Sequence, residues 1–168
     1  MLEFDQQLSV ACRGRVCLMG VGNVDLGDDG FGVRLAEAIE RERLPQVEVV
    51  IAGSSPEHFI GRAREKDWDN LIFLDAVDCC AEAGTVVLLD SAVMIARFPQ
   101  FSTHKISLGL LAQCVESDGR TRAWLLGVQP ASLMPGVGLS RPISRSLGLI
   151  AEAIAATLSP CGSVPLMT

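Results

Sequence analysis

Two rhythms of apolar and polar positions alternate along this chain. Short, nearly continuous apolar runs at residues 15–21, 47–52, 71–76, 85–89 and 123–129 read as strands. Between them, residues 29–42, 56–65, 105–116 and 142–158 place apolar side chains at helical spacing. The alternation predicts one α/β domain: a three-layer sandwich whose twisted, mixed, mostly parallel five-stranded sheet carries helices on both faces. Only the third and fourth strands lack a helix between them. Residues 78–84 are few and contain Gly84, so this pair is expected to be an antiparallel neighbour or hairpin. The pattern assigns residues 15–158 to the domain, 1–14 to a flexible N-terminal extension and 159–168 to a C-terminal tail. Pro160, Gly162 and Pro165 stop the last helix.

Composition narrows the classes. With 168 residues, 49% of them apolar, the chain can bury one full core. No apolar run approaches the ~18 residues of a membrane span, and residues 1–14 lack the basic start and apolar centre of a signal peptide. A cytoplasmic protein is expected. Six cysteines show no C-x-x-C pairing, which argues against a zinc knuckle and for thiols in a reducing compartment. A formal charge of −6 without a basic run argues against nucleic acid as partner.

The first strand runs into a turn rich in glycine and acid: Gly20, Gly22, Asp25, Gly27, Asp28, Asp29, Gly30 and Gly32. In open α/β sheets such a strand-to-helix turn borders the crevice where ligands bind. A phosphate loop would end in Lys followed by Ser or Thr, and the turn contains none of these. The dinucleotide fingerprint fails because Asp25 stands at its third glycine and three acids would repel a pyrophosphate. An EF-hand starting at Asp25 would have Gly27 at its third position and Ala36 at its twelfth, where calcium needs carboxylates. The turn therefore suits a cation, or a polar group needing a base. One of Asp28 and Asp29 is expected to cap the following helix. The other is left for a ligand.

Two further positions join it. Asp75 ends the third strand and, in a parallel sheet, lies beside the first turn; alone, a strand-end Asp equally bonds a neighbouring amide in a turn, the reading given to Asp78. His104 precedes a helix; imidazole with two carboxylates suits a borderline metal such as nickel or zinc, or acid–base work near neutral pH. His58, inside a helix behind Ser55 and Pro56, is read as structural or surface. Cys79 and Cys80 are read as packed or loop thiols.

Taken in order, these residues resemble the [NiFe]-hydrogenase maturation endopeptidases. Gly22-Asn23 with Gly27 to Gly32 is similar to that family's opening motif, and Asp75-Ala76 to its strand-end acid. Gly53 to Glu57 resembles a turn of the subgroup serving energy-converting hydrogenases; Thr103-His104 resembles the family's His motif and Gly127 to Pro130 its last strand.

The resemblance implies an enzyme that removes the C-terminal extension of a hydrogenase large-subunit precursor after nickel insertion. By motif, the family's metal-contacting positions fall on Asp29, Asp75 and His104, which would meet nickel held in the precursor rather than a resident metal. No organic cofactor is implied. Two departures stand out: Ala52 occupies a position where many members carry Asp, and Asp29 replaces the Glu of some relatives. No Ser, Cys or Thr has a base beside it by motif, so water is the expected nucleophile. Two other readings remain: a protein that binds the same precursor without cutting, and a Rossmann-like small-molecule enzyme.

Overall fold

A computed structural model describes residues 3–63, 65–97, 107–117 and 119–159. In chain order they form α1 (Phe4–Ala11), β1 (Val16–Val21), α2 (Phe31–Glu42), β2 (Val47–Gly53), α3 (Glu57–Ala63), β3 (Asn70–Ala76), β4 (Val86–Asp90), α4 (Ser91–Arg97), α5 (Leu108–Glu116), β5 (Arg122–Val128) and α6 (Arg141–Leu158). The strands make one sheet in the order β2-β1-β3-β5-β4. All neighbours are parallel except β4 with β5.

The sheet divides the interior into two apolar clusters, and strand alternation decides which residue joins which. Val16 and Leu18 of β1, Ile72 and Leu74 of β3, and Trp124 and Leu126 of β5 face one cluster with α1, α2 and α6. Cys17, Met19, Leu71, Phe73, Ala123 and Leu125 face the other, with α3, α4 and α5. Every residue of β1 and β3 is buried. Strands covered on both faces must be apolar throughout, which is why these two read as unbroken runs.

The three-layer, mixed sheet follows the sequence reading, and the strand and helix bounds agree with it to within three residues where described. Three features differ. First, β4 does not pair with β3. The chain leaving β3 continues along β5, with the Val77 amide donating to the Val128 carbonyl and the Gly84 amide to the Gln129 carbonyl. It then crosses to the far side of β5, where Leu88 lies opposite Leu126. An antiparallel neighbour or hairpin was expected because no helix intervenes, yet the link is long enough to step over one strand, two spacings of ~4.8 Å each. The antiparallel sense was right and the neighbour was not.

Second, the N-terminal segment expected to be flexible contains α1, which packs Leu8, Ala11 and Cys12 into the α2/α6 cluster. The segment is tied further by the Asn70 side-chain amide donating to the Arg13 carbonyl at 2.7 Å. Third, α4 was not foreseen. It opens directly from β4, where the Asp90 carboxylate accepts the Val93 amide at 2.9 Å in the manner of a helix cap.

Candidate functional site

β1, β3 and β5 all deliver their carboxyl ends to the same edge of the sheet, and the glycine-rich turn closes over that edge. Gly22 takes a positive φ of 121°, and its amide donates to the Gly53 carbonyl at 2.9 Å, joining the turn to the end of β2. A side chain at Gly22 would run into the Asp29 carbonyl. At Gly32 the first turn of α2 rests on backbone: a Cβ there would collide with the carbonyl oxygens of Val21 and Leu74. Glycine thus lets the helix start press on the ends of β1 and β3. The 3-10 turn Gly27–Gly30 packs against β3 as a result.

Asp29 lies in that turn, and Asp75 directly follows Leu74. Both are almost fully buried, at 3% and 2% exposure. One oxygen of Asp29 accepts the Asn23 amide at 2.7 Å, closing the turn on itself. Asp75 accepts the amide of Ala76 at 2.9 Å. Strand alternation sends Asp75 to the same face as Phe73, the face covered by α5. Both acids therefore sit at the carboxyl-end edge of the sheet, Asp29 in a turn packed against β3 and Asp75 at the end of β3 itself. His104 lies outside the described residues, as does the start of the helix read from 105. α5 is described from Leu108, behind a Ser107 cap whose hydroxyl accepts the Leu110 amide. Among the described residues no three His, Cys, Asp or Glu side chains form a group that could hold a metal ion.

The capping expectation for the acid pair is corrected. Neither the 3-10 turn nor α2 has a side-chain cap. Asp28 instead turns away from α2 and anchors the loop at 131–140. Its carboxylate accepts the amides of Ala131 at 2.8 Å, Ser132 at 2.9 Å and Ser140 at 2.6 Å, and the Ser140 hydroxyl at 2.9 Å. Burial alone would raise this carboxyl, but the donors from Ser140, Ser132 and Ala131 outweigh it and hold it below its ordinary value. The Asp28 amide also donates to the Ser132 carbonyl at 3.0 Å, and the Gly136 amide to the Asp25 carbonyl at 3.1 Å. The sequence reading missed this loop entirely. Its partner acid was visible; the partner's address, more than 100 residues away, was not.

Other expectations fall as follows. Asp78 closes its own turn by accepting the Cys80 amide at 3.0 Å. Cys79 is half-buried, with its amide on the Gln129 side-chain oxygen at 2.8 Å; burial first, then the neighbouring Asp78 and Cys80, push its thiol up. That disfavours a thiolate nucleophile there. Ala52 is buried in the α3/α5 cluster at a register shift, where Val21 pairs with Gly53 rather than Ala52. An apolar residue suits that packed position. Glu57, opening α3 just past the same bulge, keeps one carboxylate oxygen buried with no hydrogen-bond partner among the described residues.

Most of the chain is similar to hydrogenase maturation proteases. A family model described as hydrogenase maturation protease matches residues 33–157, beginning just past the acidic turn. The hydrogenase 2 maturation protease of Escherichia coli is 31% identical over 154 residues, covering 88% of this chain and 93% of that protein. Among solved structures, the [NiFe] hydrogenase maturation protease HycI from Thermococcus kodakarensis superposes with a TM-score of 0.82 at 28% identity, covering 91% of this chain and 99% of its own. The hydrogenase maturating endopeptidase HybD from E. coli superposes with a TM-score of 0.70 at 28% identity, covering 86% and 91%. With that extent of match, and with the fold described above, the chain belongs to the hydrogenase maturation protease family.

Proposed function

We propose that this protein is an endopeptidase that removes the C-terminal extension from a [NiFe]-hydrogenase large-subunit precursor once nickel is in place. The site assignment is supported by buried Asp29, in a turn packed against β3, and buried Asp75, at the end of β3. Two carboxylates at one sheet edge suit a cation presented by a bound chain. We assign His104 as the third contact. Its support is positional: the α5 helix begins four residues later, on the face to which alternation sends Asp75.

In this reading nickel arrives as part of the substrate, held by precursor thiolates. Asp29, Asp75 and His104 complete its coordination and so fix the scissile peptide against the sheet edge. Water adds to the peptide carbonyl, giving up its proton to a carboxylate of the site. The carbon–nitrogen bond then breaks, and the leaving nitrogen takes a proton back. Recognition by a shared metal would restrict cleavage to metal-loaded precursor. Among the described residues no helix is long and apolar enough to cross a membrane. The described cysteines are all free thiols, which supports a cytosolic setting.

The test is the intact mass of nickel-loaded precursor from the same source, before and after mixing with the protein, beside a nickel-free control. Loss of one C-terminal segment from the nickel sample alone is expected. Binding without any mass change would instead establish a non-cleaving chaperone. Asp29→Ala and His104→Ala should each abolish the cut while leaving the fold intact; normal processing by either variant would overturn the site assignment.

A further inference from the structure

Large apolar side chains that stay exposed are few: among the described residues they are Val24, Ile51, Ile95, Leu110, Leu133, Met134, Val137 and Leu149. Half of these eight gather in one place. Leu133, Met134 and Val137 lie in the loop anchored by Asp28, with exposures of 44%, 66% and 52%. Val24 lies in the acidic turn, next to Asp25, whose carbonyl receives the Gly136 amide from the same loop. The backbone bonds thus bring the segments that carry these four exposed residues side by side, as an apolar rim next to the turn that carries Asp29. The remaining exposed residues are dispersed over β2, α4, α5 and α6.

This rim is built, not loose. Asp28 fixes residues 131, 132 and 140 through its carboxylate, and backbone bonds fix residues 132 and 136 to the turn. A buried charge with four donors is a large investment in holding a loop whose own apolar side chains face solvent. Folding gains nothing from their exposure. A rigid apolar platform does favour binding, because the ordering it requires has already been met during folding.

We infer that the rim of Val24, Leu133, Met134 and Val137 docks apolar side chains of the precursor's C-terminal segment, next to the bond that is cut. The inference rests on the endopeptidase reading and adds to it the surface that selects the substrate chain. Continuity with the acid pair decides the occupant. A chain whose peptide bond lies against Asp29 and Asp75 must leave the site in extended form, advancing ~3.3 Å per residue. Its next few residues cross the turn and meet the rim. The chemistry of the rim specifies apolar side chains, and the net charge of −6 disfavours acidic ones.

The experiment compares wild type, the double variant Leu133→Ser/Met134→Ser, and Leu149→Ser, an equally exposed apolar position on α6. Cleavage of nickel-loaded precursor is followed by intact mass over a range of precursor concentrations, with binding measured in parallel by fluorescence anisotropy of labelled precursor. The rim variant should raise KM and the binding midpoint at least tenfold, with kcat within twofold and an unchanged urea midpoint; Leu149→Ser should match wild type. An unaltered KM and binding midpoint in the rim variant would overturn the inference. So would sedimentation showing that wild type dimerises and the rim variant does not, since the rim would then belong to a second copy. If wild type binds but never cuts, the endopeptidase reading fails separately, and the anisotropy arm alone still decides for or against the rim.

Discussion

Replacing Asp28 by Asn tests whether an ionised carboxylate holds the loop at 131–140. The side chain is fully buried and accepts four hydrogen bonds. Asparagine can keep its oxygen towards Ala131 and Ser132, but its amino group then meets the Ser140 amide, a donor facing a donor. Leaving that amide unsatisfied costs ~1–3 kcal/mol. The bonds that survive lose their charge assistance, roughly another 1 kcal/mol or more in sum. A net loss of about 3 kcal/mol follows, which moves a urea midpoint by about 1–2 M for a domain of this size. The pH dependence sharpens the test. Because the folded-state pKa of Asp28 lies below its ordinary value of 3.8, its stabilisation is fully present above that value. It is lost as pH falls through the lowered folded value. The gap between wild type and Asp28→Asn should therefore be widest at pH 7 and narrow towards pH 2–3. A loss under ~1 kcal/mol, or a gap independent of pH, would refute the ionised anchor.

Other outcomes follow from the same packing. Gly22→Ala puts a methyl group against the Asp29 carbonyl at a positive φ, so it should destabilise the fold by ~1–3 kcal/mol and reduce processing more than a comparable change at exposed Gly61; equal activity would show the turn can yield. Leu8→Ala should cost ~2–5 kcal/mol in urea unfolding, because α1 is part of the core; a loss under ~0.5 kcal/mol would mean that α1 is dispensable. Burial pushes the Cys12 thiol up to about 12 and raises Cys17 further, so neither should react with iodoacetamide at pH 8 in the native state. Cys80 and Cys114 are exposed and should label first, as peptide mapping by mass would show.

What the sequence made legible was local, and what it hid was long-range. β1 and β3 were readable because strands covered on both faces admit only apolar residues. The acidic turn and Asp75 were readable because parallel strands deliver their ends to one edge. The partner of β4 was not, since its apolar pattern states that it is a strand but not which neighbour it faces. α1 was passed over because a short helix contributing Leu8 and Ala11 leaves little periodicity. The capping box of Glu3 and Gln6, in which the Gln6 side chain accepts the Glu3 amide at 3.4 Å, marks its start. Asp28 illustrates the limit best. Adjacent in sequence to Asp29, it was read as one of an equivalent pair, and only its partners 103–112 residues away separate the two roles.

That separation also has a consequence in time. The acidic turn is made more than 100 residues before the donors that fix Asp28. While the chain is being synthesised, the turn has no loop to hold and the loop no anchor. At ~5–20 residues per second, the interval between them is several seconds or longer. A ribosome-bound intermediate that stops short of Ser140 therefore has its sheet-edge acids without the clamp that shapes their surroundings. The surroundings of the acidic turn are therefore completed only after the loop at 131–140 has been made, whatever part of the sheet has already formed.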